Sequence, residues 1–219
     1  MLEVALAPGE TLVAEAGSMV ARSTAVDMAV KLNANRSAGF GALVKALLIA
    51  FVRKLVGGET FFVNHFTASG GGTVRLAPKL SGQVTHRRLN GETLVVSTGA
   101  FLASSGNVDM SLRFAGLRSL LAKEGLFFLE LKGQGDVWFT SYGGVHEERV
   151  DGSFIVDNGH IVGFEGQLTY ELRSAGGGLM GLVASGEGLV CEFRGQGTVY
   201  LQSRNVSTLV GWITPFLPG

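Results

Sequence analysis

The feature that most constrains the fold of this chain is an internal repeat. Three stretches align with one another: "ETLVAEAGSMVARSTAVDM" (10–28), "ETLVVSTGAFLASSGNVDM" (92–110) and, more weakly, "GSFIVDNGHIVGFEGQLTY" (152–170). In each copy a strand-like run ends at a glycine, namely Gly17, Gly99 or Gly159, where a turn is expected. A unit of this size buries its apolar face only by packing on its neighbours, so the repeat predicts one domain with pseudo-threefold character.

A second half follows each copy. These stretches are "GGETFFVNHFTASGGGTVRL" (57–76), "KEGLFFLELKGQGDVWF" (123–139) and "GEGLVCEFRGQGTVYL" (186–201). Each predicts a strand, a glycine-rich turn and another strand, with Gly133, Gly135, Gly195 and Gly197 providing a positive φ or a bulge. A dinucleotide-binding loop would need a helix after the glycines, and strand-like runs follow them instead.

The remaining pattern is typical of an all-β protein. Short runs rich in β-branched and aromatic residues alternate with turn residues along most of the chain. We expect a single domain, 1–219, of three β units: about 1–80, 81–145 and 146–206. A C-terminal segment, 207–219, follows them.

An insertion in the first unit differs in kind. "GFGALVKALLIAFVRKLVGG" (39–58) has helical periodicity and predicts an amphipathic helix over about 39–56. Its apolar stripe consists of Phe40, Leu43, Val44, Leu47, Leu48, Phe51, Val52 and Leu55. The stripe is too large to leave in water, and it can pack on the fold, on another subunit or on a membrane surface. We expect packing ahead of the membrane, because most helices bury such a stripe within their own fold.

Composition points toward self-association. Apolar residues make up 46% of the chain and charged ones 16%, and the mean hydropathy is +0.32, which suggests apolar surface covered by other subunits or by a membrane. Lys and Arg together number 18, as do Asp and Glu, so nucleic acid is not an expected partner. The single cysteine and an N-terminus without signal-peptide features favour the cytoplasm.

No catalytic, cofactor or metal site is expected. The four histidines have no metal-ligand spacing, and His146 and Glu147 would point to opposite faces of a strand. Ser141 lacks the flanking glycines of a nucleophile elbow, and Cys191 lies in an alternating strand without a cationic neighbour.

The sequence resembles the altered-inheritance-of-mitochondria protein 24 family. The matching stretches include "LAPGETLVAEAGSMV" (6–20), "EGLFFLELKGQGDVWFTSYG" (124–143) and "GEGLVCEFRGQGTVYLQSRN" (186–205), and together such stretches span nearly the whole chain. The resemblance implies a fold similar to the tryptophan RNA-binding attenuation protein, of the short double-stranded β-helix or barrel-like type. It also implies assembly as trimers or rings. It carries no established catalytic residues.

Three hypotheses about function follow. The first is a non-enzymatic, homo-oligomeric β scaffold whose partner is a further copy of itself. The second adds peripheral membrane contact through the stripe within 40–55, strengthened by avidity on an oligomer. The third is a small-ligand or RNA-binding module, which rests on fold analogy alone. No cofactor or particular small molecule is expected in any of them.

Overall fold

The computed structural model describes residues 1–32, 62–114, 127–174 and 189–217, and these ranges form an all-β protein with one short α-helix. This confirms the predicted all-β class. The helix, α1, spans Val206–Ile213. The strands are β1 (Leu2–Leu6), β2 (Thr11–Glu15), β3 (Met19–Arg22), β4 (Val26–Leu32), β5 (Phe62–Ala68), β6 (Gly72–Leu76), β7 (Val84–Ser97), β8 (Phe101–Phe114), β9 (Phe127–Thr140), β10 (Val145–Asp157), β11 (Ile161–Ser174) and β12 (Leu189–Gln202).

The described strands form two antiparallel sheets. A small sheet has the order β1-β6-β3, and a large one has the order β10-β12-β11-β7-β9-β8-β2-β5-β4. Within the described ranges the large sheet is open, with β10 at one end and β4 at the other. Among the described helices, none is long and apolar enough to cross a membrane.

Consecutive strands pair in a recurring order. β9 lies between β7 and β8, and β12 lies between β10 and β11, so the third strand of each set occupies the centre. In the N-terminal part, β5 lies between β2 and β4, and β6 lies between β1 and β3. Antiparallel hairpins of this kind keep one face for the core and leave the other in contact with water.

The glycine pairs lie inside strands. Gly133-Gln134-Gly135 falls in the middle of β9, and Gly195-Gln196-Gly197 falls in the middle of β12. The prediction of two strands joined by a turn at these glycines is therefore wrong. Gly133 and Gly195 have positive φ, of 138° and 120°, but the ladder continues through both, so neither strand ends there.

In the described ranges the core forms three apolar clusters, each of which draws residues from more than one set of strands. One cluster joins Val63, Leu131, Val162 and Tyr200, which come from β5, β9, β11 and β12. A second gathers the aromatic rings of Phe128, Phe164 and Phe193 with Cys191. A third packs Leu12 and Phe66 against Leu102 of β8. The sets of strands are therefore joined both by strand pairing and by side chains that pack in common clusters.

Candidate functional site

A groove opens where β7 and β11 separate. The two strands pair only between Leu94–Val96 and Gly163–Glu165. Gly163 permits this approach, because a Cβ at that position would lie 2.5 Å from the carbonyl oxygen of Val95. The groove has a volume of about 490 Å³. Its lining comes from four strands: Arg87, Gly91, Glu92, Thr93, Lys132, Glu165, Gly166, Gly197 and Thr198.

One wall of the groove is shaped by a β-bulge. The register of β7 against β9 shifts between Asn90 and Thr93, and Gly91 has a φ of 111°. Bulges redirect side chains and are common beside functional sites. The Glu92 carboxylate accepts a hydrogen bond from the backbone N–H of Asn90 at 2.5 Å, and this bond lowers the pKa of Glu92. The bulge therefore places an ionised carboxylate at the rim.

Two residues of the groove lining, Arg87 and Glu165, form a hydrogen-bonded triad with Tyr200. Arg87 donates from Nη2 to Glu165 Oε1 at 2.6 Å and from Nε to Oε2 at 3.3 Å. The Tyr200 hydroxyl donates to the same Oε1 at 2.9 Å. Burial, followed by the hydrogen bond to Glu165, raises the pKa of Tyr200 well above its usual value. The same carboxylate raises the pKa of Arg87.

The charges of the groove nearly balance. Arg87 and Glu165 neutralise each other, and Glu92 contributes one negative charge. Lys132 is exposed, and within the described ranges it forms no ion pair. Thr93 and Thr198 add hydroxyl groups. This set can hydrogen-bond a small polar ligand, whereas the Tyr200 proton is held by Glu165 and is poorly suited to acid–base transfer near neutral pH.

The remaining glycines singled out from the sequence lie in connections between strands. Gly17 has a φ of 83° and connects β2 to β3, and Gly99 connects β7 to β8. Gly159 belongs to a 3₁₀ turn, Asn158–His160, between β10 and β11. None of these three residues lines the groove, but Gly197 of the β12 pair does.

The other chemistry-bearing residues do not converge. Cys191 is fully buried, and burial raises the pKa of its thiol to about 12, so it is unreactive near neutral pH. His146 lies 3.3 Å from Glu148, two residues along the same strand. Within the ranges that the structure describes, no group of three or more His, Cys, Asp or Glu residues could hold a metal ion.

Three further features were either predicted from the sequence or missed by it. The apolar stripe from Phe40 to Leu55 lies outside the described residues. Sequence reasoning missed the helix α1, although Asn205 followed by "VSTLVGWI" carries the signal of a helix N-cap. Sequence reasoning also missed the groove, because Arg87 and Glu165 lie 78 residues apart in the chain.

Long antiparallel strands and a polar groove between two strands of the large sheet define an all-β protein. Among the described residues that line the groove, no nucleophile is hydrogen-bonded to a general base. The chain belongs to the mitochondrial biogenesis AIM24 family, whose model matches residues 1–204, and this confirms the family predicted from the sequence.

Two relatives come from Streptococcus pyogenes. An uncharacterized protein of the serotype M6 strain is 30% identical over 221 residues, which cover 100% of this chain and 87% of that protein. The crystal structure of protein SPYM3_0169 superposes with a TM-score of 0.79 at 30% identity, covering 98% of this chain and 93% of the other.

Proposed function

We propose that this protein is a non-enzymatic, homo-oligomeric β scaffold built from three copies of one unit. The strand order supports the repeat: β9 lies between β7 and β8, and β12 lies between β10 and β11. The first unit differs, because β5 lies between β2 and β4 while β6 lies between β1 and β3. Equivalent glycines also pair in register: Gly106 with Gly135, and Gly166 with Gly197. The units are about 1–80, 81–145 and 146–206, with a segment 207–219 after them. A pseudo-threefold arrangement similar to the tryptophan RNA-binding attenuation protein is part of this proposal.

The observation that carries self-association is the open end of the large sheet. The first half of β10 bears several charged residues, which protect an edge strand from pairing, whereas its second half contains the apolar run "FIV". Ile155 in that half is 60% exposed. At the other end of the described sheet, Val30 of β4 is 62% exposed. Edges of this kind pair with further strands, and a trimer or ring would cover them.

Size-exclusion chromatography with light scattering tests the scaffold. We expect an oligomer at low micromolar concentration, and we expect Ile155→Lys to shift it toward the monomer. Gln167→Lys is the matched control, because Gln167 is an exposed residue of the interior strand β11 and should leave the oligomer unchanged. A wild-type chain that stays monomeric contradicts the proposal.

Peripheral membrane contact through the stripe within 40–55 is a further part of the proposed role, with the protein otherwise in the cytoplasm. Several weak helices on one oligomer would add by avidity. Co-sedimentation with liposomes tests this, and the double variant Leu47→Glu, Leu48→Glu should bind less. Unchanged binding of that variant rejects the stripe as the contact.

The groove favours a second candidate function, which is the binding of a small polar ligand. Its nearly balanced charges, in which Lys132 and Glu92 accompany the Arg87–Glu165 pair, do not favour RNA. A native mass spectrum of the purified protein tests this candidate. A retained small molecule that is lost in Lys132→Gln supports it, whereas salt-sensitive binding of mixed RNA would favour the nucleic-acid alternative.

A further inference from the structure

The C-terminal segment, residues 205–217, leaves the sheet as an exposed helix. α1 begins after Asn205, whose side chain accepts a hydrogen bond from the backbone N–H of Ser207 at 2.8 Å. A 3₁₀ turn, Thr214–Phe216, extends it, and neither element contains a buried residue. The matched family residues end at 204, one position before this cap.

One side of this segment is apolar and exposed. Within α1, at about 100° per residue, the exposed large side chains lie in an arc of about 160°. We use the name C-terminal apolar face for this arc together with the exposed apolar residues that follow it; its members are Val206, Val210, Trp212, Ile213, Phe216 and Leu217. Trp212 is 66% exposed and Phe216 is 74% exposed, and their ring centroids lie 5.8 Å apart. The two rings therefore form one exposed aromatic patch.

The opposite side of the segment is polar but uncharged. It consists of Ser207, Thr208, Gly211 and Thr214, and residues 205–219 include no Asp, Glu, Lys, Arg or His. The preceding cation, Arg204, lies over the ring of Tyr142 at 5.6 Å, at the base of the helix. A polar face of hydroxyls and glycine, opposite bulky aromatic residues, is suited to defects in lipid packing rather than to anionic headgroups.

The size of the face argues against a second copy as its cover. A complete large side chain has a surface of roughly 150–250 Å². The exposed surface of the six residues therefore sums to roughly 600 Å². A stable protein–protein interface needs about 800 Å² from each partner, with a polar rim that fixes its register. The face has neither that area nor any charged residue to set a register. A lipid surface needs no register, and tryptophan favours the bilayer interface.

We propose that the C-terminal apolar face inserts into zwitterionic lipid bilayers at packing defects. This assigns a membrane contact outside the stripe at 40–55, and it applies to a monomer as well as to an oligomer. Binding should increase with vesicle curvature and should be insensitive to salt, because no charge of the segment takes part.

The proposal is tested by measuring binding to small and large phosphatidylcholine vesicles. All variants are made in a Trp138→Phe parent, in which Trp212 is the single tryptophan. We expect a blue shift of Trp212 emission, quenching by brominated lipid and stronger binding to small vesicles. Ile213→Glu should reduce the partition coefficient by about tenfold or more, since a carboxylate would enter the apolar layer. Thr208→Glu is the control, and its partition coefficient should stay within about twofold of the parent's. Its new carboxylate lies on the polar side of the helix, where it completes a capping box.

Three outcomes would overturn the proposal. Binding that needs anionic lipid and disappears at high salt would assign the contact to basic residues. Loss of binding in Leu47→Glu, Leu48→Glu, with full binding in Ile213→Glu, would assign it to the stripe. A change of oligomeric state in Ile213→Glu without vesicles would show that a second copy covers the face.

Discussion

At Gly135 and Gly197 the neighbouring strand passes too close for any side chain. A Cβ at Gly135 would lie 2.0 Å from the Ser105 carbonyl oxygen, and one at Gly197 would lie 2.2 Å from that of Glu165. Both obstacles are backbone atoms of the paired strand, so neither can rotate away. We predict that Gly135→Val or Gly197→Val lowers the free energy of unfolding by about 3 kcal/mol or more, measured by urea denaturation.

Gly99 offers a matched control for these variants. No heavy atom lies within 4 Å of its ideal Cβ, and its φ is not in the left-handed region. Gly99→Ala should therefore change the free energy of unfolding by less than about 1 kcal/mol. If Gly197→Val were as stable as the wild type, the strands at Gly197 could move apart without lowering the free energy of unfolding, which would contradict the prediction.

The Cys191 thiol makes stability depend on alkaline pH. Burial raises its pKa from 9.0 to about 12, so the folded chain keeps the proton at pH values where the unfolded chain has lost it. Its contribution is complete below pH 9 and is lost as pH rises toward 12, by about 1.4 kcal/mol per pH unit. Urea denaturation at pH 8, 10 and 11 should show that the free energy of unfolding of the wild type falls at least this steeply between pH 10 and 11, because the raised pKa of Tyr200 adds to the loss.

A Cys191→Ala variant isolates the contribution of the thiol. Tyr200, whose pKa is also raised, is present in both proteins, so its effect cancels in the comparison. The variant should be less stable than the wild type at pH 8, because a buried group is removed. The difference in the free energy of unfolding between the two proteins should become smaller as pH rises. Parallel pH profiles would contradict the role given to this thiol.

At the scale of elements, the Arg87–Glu165–Tyr200 triad joins β7, β11 and β12 where the strand pairing stops. Glu165→Gln removes the charge that holds Arg87 and weakens the acceptor for the buried Tyr200 hydroxyl. We predict a loss of about 1–2 kcal/mol in the free energy of unfolding, measured by urea denaturation near pH 7.

Glu130 provides the matched control on the same sheet. It pairs with Arg113 at 3.1 Å, with side-chain exposures of 33% and 50%, and among the described residues no buried hydroxyl donates a hydrogen bond to it. Exposed ion pairs of this kind contribute little to stability. Glu130→Gln should therefore lower the free energy of unfolding by no more than about 0.5–1 kcal/mol. Equal losses for the two variants would show that the triad does not stabilise the junction.

The contrast between the predicted and observed elements has a physical cause. Alternation and turn residues correctly predicted β structure, because those signals are local. Gly133-Gln134-Gly135 resembled a turn because glycine between apolar runs is typical of one. Its actual role depends on Ser105 and Asn107 of the adjacent strand, whose carbonyl oxygens lie where side chains would be. A single sequence does not contain that neighbour relation, and the groove depends on the same kind of long-range contact.

At the scale of the whole molecule, the sequence predicted the family and the all-β class but not the order of the strands. The order depends on three-residue ladders, such as Leu94–Val96 with Gly163–Glu165, and Leu12–Ala14 with Ala103–Ser105. Ladders this short have no distinct periodicity. Apolar clusters reinforce them: the rings of Phe128 and Phe164, from β9 and β11, meet edge to face at 5.4 Å.

These shared clusters predict that the chain unfolds as one cooperative unit, although single-transition behaviour is most common below about 150 residues. Val162 and Tyr200 pack in the same cluster as Phe101 and Val63, so loss of one set of strands would expose the core of the next. In a Trp212→Phe variant, Trp138 alone reports on β9, while far-UV circular dichroism reports on all strands. The two urea transitions should coincide in midpoint and slope. Loss of the Trp138 signal at a different midpoint would mean that the short ladders, and not the clusters, set the limits of each folding unit.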